Sequence, residues 1–267
     1  MLVAIPTQNL FTMAKQLLIY ETAVPLNPAR HGDACLDAAA ANYAFSAGVN
    51  AVPLMAVELL RAAGEYAVVF TPAGDDMLPA AVLGVRGQQN LYLSADAQWQ
   101  AKYIPAFIRR YPFVFSASAD GKTLTLCIDE THPGVNRDGR GQRLFGDDRK
   151  PSAYTAGVLK FLQEYQAQFE RTRQFGRRLK DLGLLAPMQA EVTTPGGEKI
   201  KFGGFFTVSR EKLRALDADT LAALARSDEL ELVYLHLFSM HNFNDVKDRL
   251  IGTLPSAEPA AAGAGAG

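Results

Sequence analysis

The stretch SAYTAGVLKFLQEYQAQFERTRQFGRRLKDL, residues 152–182, decides how the rest of the chain is read. Within it Val158, Leu162, Tyr165, Phe169, Gly176 and Leu179 recur at spacings of three, four and seven, which puts them on one face of a helix. Ser152 stands where a side-chain oxygen caps the first free amides, and Gly183 followed by Pro187 supplies the stop. A long amphipathic helix is therefore expected. Gln163, Glu170, Arg173, Gln174, Arg177 and Lys180 fall on its other face, where charged side chains ordinarily meet water and a partner groove is the alternative.

The chain before this helix has a different texture. From residue 16 to 145, short runs rich in Val, Ile, Leu, Tyr and Phe are broken by Gly, Pro, Asn and Asp, the mark of strands and tight turns. Residues 17–20, 66–71, 80–85, 90–93, 113–116 and 123–128 are the expected strands. The breaks at 72–76, 86–89 and 119–122 are the expected hairpin loops, the last centred on Asp120-Gly121. An antiparallel meander is the simplest assembly. After the helix, residues 189–193 and 199–208 flank Pro195-Gly196-Gly197 as a β-hairpin. Ser209 then caps a helix to Leu216, Asp217 or Asp219 caps another to Arg226, and residues 230–240 carry Leu230, Val233, Leu237 and Met240 at helical spacing. An antiparallel β-rich N-terminal half, a long helix, a hairpin and C-terminal helices make an α+β fold, because strands and helices do not alternate regularly.

A chain of 267 residues buries roughly three-quarters of its unfolded surface, so a core is expected without disulfide or metal. Hydrophobic residues at 48% and charged residues at 21% exclude a disordered, collagen-like or membrane-embedded protein. The 27 basic and 28 acidic side chains leave a net charge of -1, without the cationic field that recruits nucleic acid. The uncharged stretch 38–57 has the length of a membrane span, but Asn42, Ser46, Gly48, Asn50 and Pro53 interrupt it, so it reads as buried loop and short helix. Two cysteines, Cys35 and Cys127, are too few for a disulfide framework, and residues 1–11 lack the cation that precedes an export signal. A reducing cytoplasm is expected. Residues 1–15 are expected to be a flexible arm, 16–254 a single α+β domain, and 255–267 a disordered Ala/Gly/Pro tail. Oligomeric state stays open.

Two segments are dense in chemistry. In KYIPAFIRRYPFVF, residues 102–115, two cations sit among aromatic and aliphatic side chains. If residues 108–111 are extended, Arg109 and Arg110 point to opposite faces, and one of them enters the core or a cleft. A guanidinium there needs a planar anion. An internal carboxylate, Asp129 or Glu130, is the expected partner; the carboxylate or phosphate of a ligand is the alternative. Pro105 and Pro112 suggest an edge or bent strand. Tyr103, Arg109, Arg110, Tyr111, Asp129 and Glu130 are thus the candidate ligand-binding residues of a cleft for a small anionic molecule or peptide. The second segment, LCIDETHPG at 126–134, ends in Asp129, Glu130 and His132, residue types suited to a metal or a proton shuttle. Pro133-Gly134 makes it a strand exit, where acids cap turns, and no two-histidine ligand spacing occurs; His236 and His241 are five apart and read as core or boundary residues. No metal and no cofactor is expected; a metal-dependent enzyme using these acids and histidines is the alternative. The chain has no G-x-S-x-G, Walker loop or G-x-G-x-x-G, so nothing in it argues for an enzyme. The basic loop RDGRGQRL, 137–144, has Asp138, Asp147 and Asp148 close by and reads as solvated.

Several of these stretches carry a resemblance: YAF at 43–45, VPL at 52–54, KYIPAFIRRYPF at 102–113, LCID at 126–129, GQRLF at 141–145 and FLQEYQ at 161–166. With GGF at 203–205, Lys212-Leu213 and LHLFSM at 235–240, they make residues 16–250 resemble the SapC family of bacterial proteins. The resemblance carries over no catalytic residues. It implies an accessory protein for the uptake or modification of a small molecule or peptide, since related genes lie near flavin-dependent halogenases and outer-membrane receptors. The family's name, taken from an association with surface layers, implies a structural protein of the cell surface as another alternative.

Overall fold

The computed structural model describes residues 18–253 except Ala41 and Ala119. Its strands are β1 (Ala23–Pro25), β2 (Cys35–Leu36), β3 (Ala51–Pro53), β4 (Val68–Ala73), β5 (Asp76–Val82), β6 (Phe113–Ala117), β7 (Leu124–Asp129), β8 (Val135–Asn136), β9 (Gln142–Arg143), β10 (Leu185–Thr193) and β11 (Lys199–Val208). Its helices are α1 (Pro28–His31), α2 (Leu59–Ala62), α3 (Ala106–Arg109), α4 (Ala153–Asp181), α5 (Arg210–Arg214), α6 (Ala218–Arg226), α7 (Glu229–Ser239) and α8 (Phe243–Gly252). The α+β class, with its strand-rich first half, long helix and closing helices, is as expected.

Antiparallel pairing holds throughout, but in three sheets rather than one meander: β1-β7-β6, β8-β2-β9, and the five-stranded β10-β11-β4-β5-β3. The strands β4 and β5 form a hairpin that turns at Gly74, whose φ of +64° favours a residue without a Cβ. On one side β5 pairs with β3; on the other, β4 meets β11 at Phe70↔Phe206, so the late hairpin completes a sheet begun in the first half. Periodicity within a strand cannot reveal such a pairing, because it is made by residues distant in sequence.

Helix α4 begins where expected. Ser152 accepts from the Thr155 amide at 3.2 Å, and Gly183, with φ +66°, follows its last turn. Tyr165 and Phe169 pack with Met55 and Leu78, while Phe175 and Leu179 pack with Phe70, Met77 and Val208. At Gly176 the helix touches the start of β5: a Cβ there would lie 1.7 Å from the Met77 carbonyl oxygen, so only glycine permits this approach. Ser209 and Asp217 cap α5 and α6 through the Lys212 and Thr220 amides.

Three expectations are corrected. Residues 18–20 and 90–93 are not strands; the latter form a turn with one bridge, Leu93 to Trp99. Ile19, Leu91 and Tyr92 plug the core instead, Tyr92 fully buried with its hydroxyl donating to the Glu65 carbonyl. Residues 108–111 are not extended either. The Pro105 carbonyl accepts from the amides of Ile108 and Arg109, making α3 one helical turn that ends at Arg109, two residues before the cis Tyr111-Pro112 bond. Helix α8 was not foreseen, although Val246 and Leu250 bury one face of it. The arm at 1–15 and the tail at 255–267 lie outside the described residues. Among those described, no helix is long and apolar enough to cross a membrane.

Candidate functional site

Side chains alternate along a strand, so Asp76, Leu78 and Ala80 of β5 share one face. Register adds Ala73 and Thr71 opposite Asp76 and Leu78, and Pro53 opposite Ala80. Most of these are small, and the sheet surface is hollow where they lie together. Over the hollow run Tyr165, Phe169 and Arg173, each four residues from the next on α4, with Phe107 of α3 beside them. The cavity measures about 250 Å³. Its walls are mostly apolar, with Asn50 and Thr71 among them, and its charged groups, Asp76 and Arg173, lie together at one end.

At that end Asp76 is buried and gripped by two arginines from α4. Arg173 Nε donates to its Oδ2 at 2.6 Å; Arg177 donates from Nε to Oδ1 and from Nη2 to Oδ2 at 3.3 Å. The contact at Gly176 puts these residues in reach, with Arg173 one turn before it and Arg177 directly after. Burial by itself would raise the Asp76 carboxyl, but the hydrogen bonds from Arg177 and Arg173 outweigh it and hold the group below the usual carboxylate range. Arg173 also donates from Nη1 to both oxygens of Glu170, at 3.1 and 3.2 Å. The charged face of α4 is therefore solvated only in part: Gln163, Glu170, Gln174 and Lys180 are exposed, whereas Arg173 turns inward.

Farther along α4 the wall is aromatic. Phe107 and Tyr165 hold Arg110 between them, its Cζ 4.3 and 5.0 Å from their ring centres, with Tyr20 at 5.6 Å. Burial pushes the Tyr165 hydroxyl up to about 12, so it stays a neutral phenol. Buried Glu58 fixes α3 in place: its carboxylate accepts from the Met55 and Ala106 amides, both at 2.7 Å, and from the Tyr103 hydroxyl at 2.6 Å.

The six residues singled out from sequence do not converge on one cleft. Tyr103 is bound to Glu58. Arg109 is exposed, its Nε donating to the Ile104 carbonyl, above the rings of Tyr103 and Phe161. Arg110 is buried behind the cavity wall. Tyr111 stacks on Phe45 with ring centres 4.0 Å apart. Asp129 and Glu130 are not the arginine partners expected: Asp129 accepts from the Glu21, Thr22 and Thr131 amides and the Thr131 hydroxyl, and Glu130 takes Arg30 and His31. His132 Nδ1 accepts from the Gly134 amide, and among the described residues no three His, Cys, Asp or Glu side chains gather to hold a metal. His236 is a core histidine, fully buried, with Nε2 accepting from the Val208 amide. In the basic loop, Arg137, Arg140 and Arg143 pair with Asp33, Asp138 and Asp147 at the surface.

Asp76 and Arg173 escaped the sequence reasoning. A usable signal existed: Arg173 continues the stripe of Tyr165 and Phe169 by four more residues, and a cation on an apolar stripe has to meet an anion or a cleft.

The chain matches the family model described as SapC over residues 26–246, a span that contains the whole cavity except Leu18 at its rim. No curated protein and no solved structure matches it.

Proposed function

The chain belongs to the SapC family, and from that premise we propose that it is an accessory protein that binds a small molecule in the cavity between β3, β4, β5 and α4. The observation that carries this is a mostly apolar cavity of about 250 Å³ with a few polar side chains in its lining, Asp76 and Arg173 together at one end, the composition of small-molecule sites in general. Arg173 supplies the cation that a small anionic molecule needs, in place of Arg109 and Arg110. The size suits a small molecule better than a peptide. The role is one of holding a compound for uptake or modification rather than transforming it, in the cytoplasm, where the buried Cys35 and Cys127 thiols stay reduced.

Calorimetric titration with a panel of small organic acids, alcohols and amines tests the proposal. Saturable binding by the parent chain, lost in Ala80→Leu because the added carbons fill the floor of the cavity, is the expected result. Equal binding by the two proteins would refute the location, and an absence of binding across the panel would refute the function.

A further inference from the structure

The cavity has a direction. At one end Phe107 and Tyr165 are buried and backed by Arg110; at the other Arg173 keeps 30% of its side chain in solvent. A ligand that lays its apolar part against Phe107 and Tyr165 leaves its polar head with Arg173. From Tyr165 to Arg173 the helix advances about 12 Å, at 1.5 Å per residue, so the space is a slot rather than a sphere. By comparison with a cavity of about 150 Å³ that holds benzene, it has room for a body of about eight to ten non-hydrogen atoms. That sets the body of the ligand.

The head follows from the bonding at Asp76. Three arginine hydrogen bonds occupy its oxygens, so it serves to orient Arg173 and leaves little capacity for an ammonium group. Arg173 spends Nε on Asp76 and Nη1 on Glu170; among the described residues nothing accepts from Nη2. A guanidinium edge held by two carboxylates thus offers donors to an acceptor at the slot's open end. Arg173 and Arg177 balance Asp76 and Glu170, so each further negative charge here goes without a cation of its own, and a dianion is disfavoured over a monoanion. One carboxylate is the anion that fits best, since it presents two acceptor oxygens to the guanidinium for a single negative charge.

We propose that the ligand class is an unbranched or aryl-bearing monocarboxylic acid with an apolar body of about eight non-hydrogen atoms, its carboxylate on Arg173 and its tail against Phe107 and Tyr165. This rests on the cavity reading above and adds the identity of the head. Titration of the full chain with octanoate, 3-phenylpropanoate, octanol, octylamine and inorganic phosphate separates the two. Octanoate and phenylpropanoate should bind at least about tenfold more tightly than octanol, with octylamine and phosphate weaker still. Arg173→Gln should bring octanoate down to the affinity of octanol and leave octanol unchanged, whereas Ala80→Leu should abolish both. Octanol binding as tightly as octanoate, with neither affected by Arg173→Gln, would overturn the carboxylate assignment and leave the cavity standing. If no compound binds, octanol included, the cavity reading falls and the ligand class with it.

Discussion

His236 makes the folded state sensitive to mild acid. The side chain is fully buried on α7, its Nε2 accepts from the Val208 amide at 3.0 Å, and its ring lies 5.0 Å from that of Phe70. An accepting Nε2 requires the neutral ring with its proton on Nδ1. Burial pulls the group down to about 4 from the usual 6.5. Because the folded value lies below the unfolded one, the unfolded chain takes up the proton first as pH falls. Stability from this group is complete above about pH 6.5 and declines to about pH 4. Over that window the loss is about 3 kcal/mol, from 1.36 kcal/mol per unit. Burial also lowers His132, which adds to the loss in the same direction. The lowered carboxylates Asp76 and Glu130 act only as pH falls through the ordinary carboxylate range and below. Urea unfolding at intervals from pH 7.5 to 4.5 measures the slope. His236→Gln keeps an acceptor for the Val208 amide without a titratable ring, so it should lose less stability across the window by about 2 to 3 kcal/mol. Identical slopes for the variant and the parent would refute the reasoning.

Gly176→Ala forces a methyl group against the Met77 carbonyl and should cost about 1 to 3 kcal/mol in denaturant unfolding, as overpacking does; a neutral result would show that α4 does not touch β5 there. Glu58→Ala leaves the Met55 and Ala106 amides without their acceptor and should destabilise by about 2 to 4 kcal/mol; a change of melting temperature no larger than that of an exposed Glu211→Ala control would contradict it. Ala80→Leu fills a cavity and should raise stability by up to about 1 kcal/mol while ligand binding disappears; a strong loss of stability would mean that the space is not there. Asp76→Asn removes the charge that Arg173 and Arg177 share and should lower the melting temperature most at low salt, so salt-independence would argue against the clamp.

What the sequence made legible was whatever is local. The 3.6-residue stripe of α4, the caps Ser152, Ser209 and Asp217, and the hairpin partners β6 with β7 and β10 with β11 all depend on residues close together in the chain. The grouping of strands was not legible, because the Phe70↔Phe206 pairing that joins β11 to the first half leaves no periodic trace. Tyr92 was misplaced for a related reason: an apolar run that plugs a core looks like one that pairs in a sheet. At the site, one of the two adjacent arginines is indeed buried, but through a helical turn, and cations over the rings of Phe107 and Tyr165 need not meet Asp129. Asp129 is satisfied instead by the Thr131 amide beside it and by the Glu21 and Thr22 amides, which are distant in sequence. Asp76 and Arg173 are joined only when α4 lies across β5, and that depends on the missing Cβ of Gly176.

The most direct test of the cavity is a nuclear magnetic resonance titration that follows methyl groups with octanoate added to the full chain. Shifts should concentrate at Ala51, Ala73, Leu78 and Ala80, which line the floor, and should saturate together. Shifts clustered instead around Tyr111 and Glu130, or none at the four floor residues while the acid binds, would contradict the assignment.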